Sequence, residues 1–138
     1  YGKDSVVSGQ LMNWGGMYLK ILEDIHNKTW TNKDIWWLAA ENAAILGGSA
    51  DEPVNLKFID DLKKVEVDSD DFGKISAYDL VMKRYAQMKK GVKDFDPYDG
   101  PIKDNKGSLK IKKGERASVD ELLNIMYYVD NVKGSIPK

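Results

Sequence analysis

Residues 5–18 contain the step from strand to helix that decides the fold class, and they run Ser5-Val6-Val7-Ser8-Gly9-Gln10-Leu11-Met12-Asn13-Trp14-Gly15-Gly16-Met17-Tyr18. Val6 and Val7 form a short apolar stretch that predicts a strand running into a loop. Between Asn13 and Asn27, apolar side chains recur at spacings of three and four, which predicts an amphipathic helix with Asn13 as its N-cap. A strand followed directly by a helix is typical of α/β proteins.

The alternation of strand and helix signals continues through residues 35–94. Residues 35–46 are apolar apart from Glu41-Asn42 and predict a buried strand with a bend, although periodicity alone leaves a helical turn open. Pro53 suits the first turn of a helix, and residues 67–73 read as an acidic loop. Ser76 with Asp79 resembles a capping box, which predicts a helix from there to about Gly91.

The last third of the chain has shorter signals. Residues 102–111 flank an Asn-Lys-Gly turn and predict an irregular hairpin. Ser118 with Glu121 is a second capping box, and residues 127–129 predict a final strand. We therefore predict an α/β layer structure in which residues 1–138 form a single domain.

The composition is that of a folded, soluble protein. Lys and Arg total 21 against 22 for Asp and Glu, so the formal charge is −1, which disfavours nucleic acid and anionic lipid as partners. There is no cysteine, which excludes disulfides, thiolate metal sites and thiol nucleophiles but leaves the compartment open. No apolar run approaches a membrane span, and no leader pattern stands at the start of the sequence. The sequence begins Tyr1-Gly2-Lys3 without an initiator Met, so processing, tag removal or a fragment all remain open.

Few residues suggest catalysis or metal binding. His26 is the only histidine, and its place at the end of the predicted helix suits an interaction with the helix dipole better than a functional switch. Asp68, Asp70 and Asp71 resemble part of a calcium loop, but Phe72 stands at a ligand position and the pattern fails. We expect no catalytic residue, no metal and no cofactor, which makes a hydrolase improbable.

The basic residues concentrate in and just after the predicted hairpin, at Lys103, Lys106, Lys110, Lys112, Lys113 and Arg116. Such a cluster can bind nucleic acid, but nearby aspartates should cancel much of its field. We favour an exposed edge that the lysines protect from pairing with other chains.

The tryptophans suggest a function more clearly than the histidine or the charged residues do. Trp14, Trp30, Trp36 and Trp37 all fall in the first third of the chain. If residues 36 and 37 are extended, their rings point to opposite faces, so one can be core while the other lines a cleft. Trp faces stack well on planar heterocycles, although a core position is the commoner use of any single Trp.

The stretch from Ser5 to Tyr18 resembles the strand-to-helix segment of the basic membrane protein family, the solute-binding lipoproteins of certain bacterial and archaeal ABC importers. A second block is similar to the C-terminal signature of that family and consists of Gly100-Pro101-Ile102-Lys103-Asp104, Gly107, Gly114-Glu115, Leu122-Leu123, Tyr128-Val129 and Val132-Lys133-Gly134. Residues 36–46 are a looser match to its tryptophan-bearing strand.

The resemblance implies the C-terminal portion of a type I periplasmic-binding-protein-like fold, with layers of helices on a mainly parallel sheet. It also implies a longer, two-lobed lipoprotein, anchored to the cell membrane on its outer side, that captures a purine nucleoside between its lobes and delivers it to an ABC transporter permease. This chain would then be a fragment, which we expect to self-associate. The alternative is a regulatory or protein-interaction domain that kept the lobe but lost transport.

The ligand-binding residues that we predict are Gln10, Asn13, Trp14, Trp36 and Trp37, placed at the carboxyl ends of strands where α/β folds form clefts. One departure from the family matters. Relatives commonly have a lysine shortly before the Asn-Trp pair, and Met12 stands there in this chain. Gln10 and Asn13 can hydrogen-bond to a sugar hydroxyl, but neither provides a charge.

Overall fold

The computed structural model describes residues 4–48 and 52–135. The chain falls into two compact units, Tyr1–Asp94 and Phe95–Lys138, each of which is described by itself. That residues 1–138 form one domain stays a prediction. The structure is mixed α/β, with small sheets and short helices.

The first unit alternates strands and helices. Its elements are β1 (Gln10–Met12), α1 (Trp14–His26), β2 (Ala44–Leu46), a 3-10 helix (Leu56–Phe58), α2 (Ile59–Lys64), β3 (Glu66–Ser69), β4 (Gly73–Ser76) and α3 (Ala77–Lys90). The second unit contains β5 (Ile102–Lys103), β6 (Leu109–Ile111) and α4 (Val119–Leu123).

The expectation of a mainly parallel sheet is wrong for the described part of the chain. The strands there form three two-stranded sheets, β1–β2, β3–β4 and β5–β6, and every pair is antiparallel. Parallel strands need a crossover of a dozen or more residues, whereas β3 and β4 are separated by residues 70–72 and β5 and β6 by residues 104–108. β1 and β2 have a longer connection, but a turn at residues 38–43 reverses the chain so that Gln10 faces Leu46 and Met12 faces Ala44.

The helix predictions are largely confirmed. α1 occupies the predicted stretch with Asn13 at the N-cap position. The Ser76 hydroxyl accepts from the Asp79 N–H at 3.0 Å, and α3 ends at Gly91, whose φ of 116° suits glycine. The Ser118–Glu121 capping box is complete at the start of α4. The hairpin at residues 102–111 is also present, with an irregular register.

Several strand predictions are wrong, and hydrogen bonding explains why. Val6 and Val7 are not in a strand, because their carbonyls accept from Asn55. Only Ala44–Leu46 of residues 35–46 is a strand. The acidic loop at residues 67–73 is mostly the β3–β4 hairpin, and residues 127–129 contribute only one bridge, between Val129 and Asp104.

The 3-10 helix begins after Pro53 rather than at it. Its N-cap is Asn55, whose side chain accepts from the Lys57 N–H at 3.1 Å. Pro53 instead accepts a hydrogen bond from the Ser8 hydroxyl at 2.7 Å. The helix predicted here is thus displaced by a few residues, because Asn55 provides the local cap.

Burial is confined mainly to small side chains. The buried apolar residues are Ala39, Ala43 and Val54 in the first unit and Ile111 and Ala117 in the second. Much of the apolar side of α1 is exposed, including Tyr18, Leu22 and Ile25. Among the described residues, no helix has the length and apolar character needed to cross a bilayer.

Candidate ligand-binding surface at the start of helix α1

Asn13 joins the carboxyl end of β1 to the first turn of α1. Its N–H donates to the Ala43 carbonyl at 2.8 Å, and its Nδ2 donates to the Asn42 carbonyl at 3.1 Å. The side chain makes no cap hydrogen bond to the helix. The amide nitrogen of Asn13 is therefore committed to the turn before β2, while its Oδ1 stays near the helix N-terminus as an acceptor.

The first turn of α1 presents an aromatic pair. The rings of Trp14 and Tyr18 are stacked, with centroids 6.4 Å apart and planes 23° apart. Trp14 is 48% exposed and Tyr18 is 60% exposed. Because residues four apart lie on the same helix face, the two rings form a continuous apolar surface that a planar ligand could cover.

Trp36 and Trp37 lie in different environments. Trp37 is half-buried and lies over Gly16, where a Cβ would meet its Cζ3 atom at 3.8 Å. Trp36 is 46% exposed. Neither residue is in a strand, so the expectation that one of them stands at the carboxyl end of a strand is wrong, because the chain turns at residues 38–43 before β2 begins.

Gln10 is at the opposite end of β1 from Asn13. It is the first residue of the strand, pairs with Leu46, and its Nε2 lies 3.9 Å from the sulfur of Met12. The expected position at the carboxyl end of a strand is therefore right for Asn13 and Trp14 but wrong for Gln10, because β1 starts at residue 10 rather than ending there.

One ion pair on α1 lies away from the aromatic end of the helix. The Lys20 ammonium donates to Asp24 at 2.5 Å, and this hydrogen bond lowers the pKa of the Asp24 carboxyl. Met12, at the position where the family resemblance implies a lysine, is exposed and uncharged. The start of α1 thus offers stacking and amide hydrogen bonds, which suit binding rather than acid or base chemistry.

The residues that resembled a calcium loop lie around the β3–β4 hairpin. Asp68 is in β3, and Asp70 and Asp71 are in the turn, where Asp71 pairs with Arg84 at 2.5 Å. Across residues 4–48 and 52–135, no group of three or more His, Asp or Glu side chains is placed to hold a metal ion. His26 is the last residue of α1, the position that the sequence predicts.

Carboxylates neutralise part of the basic cluster in the second unit. Lys110 pairs with Asp104 at 3.2 Å, Lys112 with Glu115 at 3.7 Å, and Arg116 with the buried Asp96. This agrees with the prediction that nearby aspartates cancel much of its field. A cavity of about 340 Å³ in the same unit is lined by Lys110, Ile111, Asp120, Glu121, Asn124 and Tyr127, and none of the predicted ligand residues lines it.

The structure adds Tyr18, Gly16 and Asn42 to the residues that form this surface. The spacing of four between Trp14 and Tyr18 was a visible signal for the aromatic pair. The contacts of Gly16 and Asn42 join segments more than 20 residues apart in sequence, so no local pattern indicates them.

No family model matches this chain. The whole chain of 138 residues is 25% identical to part of a purine-binding protein of Brucella abortus (strain 2308). The matched region is 33% of that protein, so the chain spans about a third of the length of this curated relative. The chain is thus similar, along its entire length, to one third of a protein named for binding purines.

Proposed function

We propose that this chain belongs to the solute-binding component of an ABC importer and helps to capture a purine nucleoside outside the cell membrane. The observation that carries the proposal is the exposed Trp14–Tyr18 pair beside Asn13. The similarity to a purine-binding protein supports the choice of ligand. In this proposal the fold is one lobe of a periplasmic-binding-protein-like structure, and the partner is a membrane-anchored permease complex.

Capture on this surface needs no bond chemistry. The purine ring stacks on Trp14, while the Asn13 Oδ1 accepts a hydrogen bond from a hydroxyl or amino group of the ligand. Gln10 and Trp36 are exposed, but Gln10 lies at the opposite end of β1 from Asn13, so we assign the ligand contacts to Asn13, Trp14 and Tyr18. A second lobe then closes over the ligand, as in other hinged binding proteins.

The Trp14→Ala substitution in the intact protein tests the proposal. We expect the affinity for adenosine, guanosine or inosine to fall by more than about tenfold, or roughly 1.4 kcal/mol, because the base loses its stacking partner. Isothermal titration calorimetry measures the change. Trp30→Ala is the matched control, since Trp30 follows the other end of α1, about 20 Å away, and is 53% exposed. Unchanged affinity in a folded Trp14→Ala protein contradicts the assignment.

The exposed apolar side of α1 favours a second candidate, a protein-interaction or regulatory domain of the same fold. Leu19 and Leu22, each 62% exposed, lie outside the aromatic pair and do not serve a small ligand. Titration of a nucleoside into the intact protein separates the two functions, because an interaction domain that has lost its ligand gives no heat of binding.

A further inference from the structure

A tight turn connects Trp37 to β2. The Leu38 carbonyl accepts from the N–H groups of Ala43 at 2.9 Å and Ala44 at 3.2 Å, while the Leu38 N–H donates to the Glu41 carboxylate at 2.9 Å. Asn42 has a φ of 57°, a left-handed conformation that few residues other than glycine and asparagine adopt readily. The turn is held by several bonds at once, so its conformation is well defined.

This turn contacts the start of α1 on two sides. On one side, the carbonyls of Asn42 and Ala43 accept from the side chain and backbone of Asn13. On the other side, Trp37 lies over Gly16, the third residue of the helix. Trp14 lies between Asn13 and Gly16 in sequence, so residues 37–43 contact the chain just before it and approach the chain just after it.

We propose that Trp37 and Asn42 are positioning residues for the Trp14–Tyr18 pair, and that Trp37 itself does not contact the ligand. Trp37 braces the first turn of α1 through Gly16, and the Asn42 carbonyl anchors Asn13. This deepens the proposed function and rests on it only for the identity of the ligand. The ligand contacts then belong to Trp14, Tyr18 and the free oxygen of Asn13.

Substitutions at Gly16 and Asn42 come in matched pairs. A Cβ at Gly16 meets Trp37 at ordinary contact distance, so Gly16→Ala should be tolerated, whereas the longer side chain of Gly16→Leu must displace the Trp37 ring. Asn42→Gly keeps the carbonyl and the left-handed φ, whereas Asn42→Val strains the backbone and should release Asn13.

The experiment uses 5-fluorotryptophan and ¹⁹F NMR of the 138-residue chain, in which the four tryptophans give separate signals that Trp→Phe variants assign. We expect Gly16→Leu and Asn42→Val to move or broaden the Trp14 signal while the Trp30 signal stays unchanged. Gly16→Ala and Asn42→Gly should leave both signals in place. In the intact protein, Asn42→Val should weaken adenosine binding by more than about tenfold, and Asn42→Gly should not.

Two outcomes overturn the proposal. One is an unchanged Trp14 signal in the folded Gly16→Leu and Asn42→Val proteins, and if one variant fails to fold, the other decides. The other is a titration with adenosine that moves the Trp37 signal more than the Trp14 signal. If adenosine moves no tryptophan signal in the intact protein while Trp14 still responds to the variants, the nucleoside function fails and the positioning role stands.

Discussion

Asp104 is a buried carboxylate whose hydrogen bonds hold the β5–β6 hairpin together. It accepts from the Ser108 N–H at 2.8 Å and the Lys106 N–H at 2.9 Å, and it pairs with the Lys110 ammonium. These bonds favour the ionised form, so the pKa of Asp104 lies below its ordinary value of 3.8, with the Ser108 N–H as the largest cause.

The lowered pKa of Asp104 predicts a loss of stability in acid. The stabilisation is fully present above pH 3.8 and disappears as the pH falls through the lower pKa of the folded state, because the folded chain must then take up a proton. We expect Asp104→Asn to lower the melting temperature at neutral pH, and the difference from the wild type to shrink below pH 3.8. Thermal unfolding followed by circular dichroism at several pH values measures this difference.

Asp130→Asn is the control for this prediction, because it removes the same charge from an exposed side chain of the same unit. Its effect on the melting temperature should be small at neutral pH. A difference between wild type and Asp104→Asn that stays constant throughout the acid range means that the Asp104 carboxylate does not contribute in this way.

At the scale of elements, the end of β2 passes very close to the segment before the 3-10 helix. The Gly48 N–H donates to the Glu52 carbonyl at 2.7 Å. A Cβ at Gly48 would overlap the backbone of Val54 and Asn55, whereas a Cβ at Gly47 would overlap only the side chain of Leu11. The two glycines that close the apolar run therefore mark a place where two backbone segments come close together, as well as the end of a strand.

The two glycines predict different costs for the same substitution. Gly48→Ala should lower the free energy of unfolding by about 1–3 kcal/mol, because a backbone must move to admit the methyl group. Gly47→Ala should cost clearly less, because Leu11 is exposed and can adopt another rotamer. Urea unfolding of both variants provides the comparison. Equal costs at the two positions contradict the view that backbone contact limits Gly48.

The elements that the sequence predicts well are those that local side chains determine. Ser76 and Ser118 cap helices with residues only three positions away, so their patterns are visible in the chain itself. The interruption at Glu41-Asn42 predicts a bend, but the contact of the turn at residues 38–43 with Asn13 was not predicted, because Asn13 lies 29 residues from Asn42 and the left-handed φ of Asn42 has no pattern in an apolar run. The antiparallel pairing of β1 with β2 depends on that turn.

In the candidate site, too, the sequence predicts the features that depend on neighbouring residues better than those that depend on distant ones. Asn13 and Trp14 do follow the end of a strand, as predicted, but that strand is Gln10–Met12 and not the predicted Val6-Val7. Trp36 is exposed and Trp37 half-buried, so the two rings differ in burial, but neither is fully buried and neither is in a strand. Which ring packs inward could not be predicted, because it depends on Gly16 in another element.

At the scale of the whole molecule, the exposed apolar side chains of α1 affect whether the isolated chain associates with itself. Trp14, Tyr18, Leu22 and Ile25 recur at spacings of three and four along α1, and all are among the exposed large apolar residues. A continuous apolar surface of this kind is uncommon on monomeric soluble proteins and marks an interaction face. The net charge of −1 gives little repulsion to oppose association of two copies.

This surface predicts that the 138-residue chain associates with itself. We expect light scattering to give a mass that rises with concentration above that of a single 15.6 kDa chain. Leu22→Lys should reduce the association, because it places a charge in the apolar surface. Leu123→Lys, at an equally exposed position on α4, should have little effect. A monomer at all concentrations contradicts the prediction.

The proposed cleft also predicts that these 138 residues bind nucleoside poorly even though they fold. In a site between two lobes, each lobe provides part of the contacts, so a base stacked on Trp14 alone keeps its other face in water. Losing the contacts on one face should remove several kcal/mol from a micromolar complex, and each 1.4 kcal/mol is about a tenfold loss of affinity. Calorimetric titration of adenosine, guanosine and inosine into this chain and into the intact protein measures the difference. Submicromolar binding by the monomeric 138-residue chain would show that the site is complete within it, and the cleft between two lobes would then have to be abandoned.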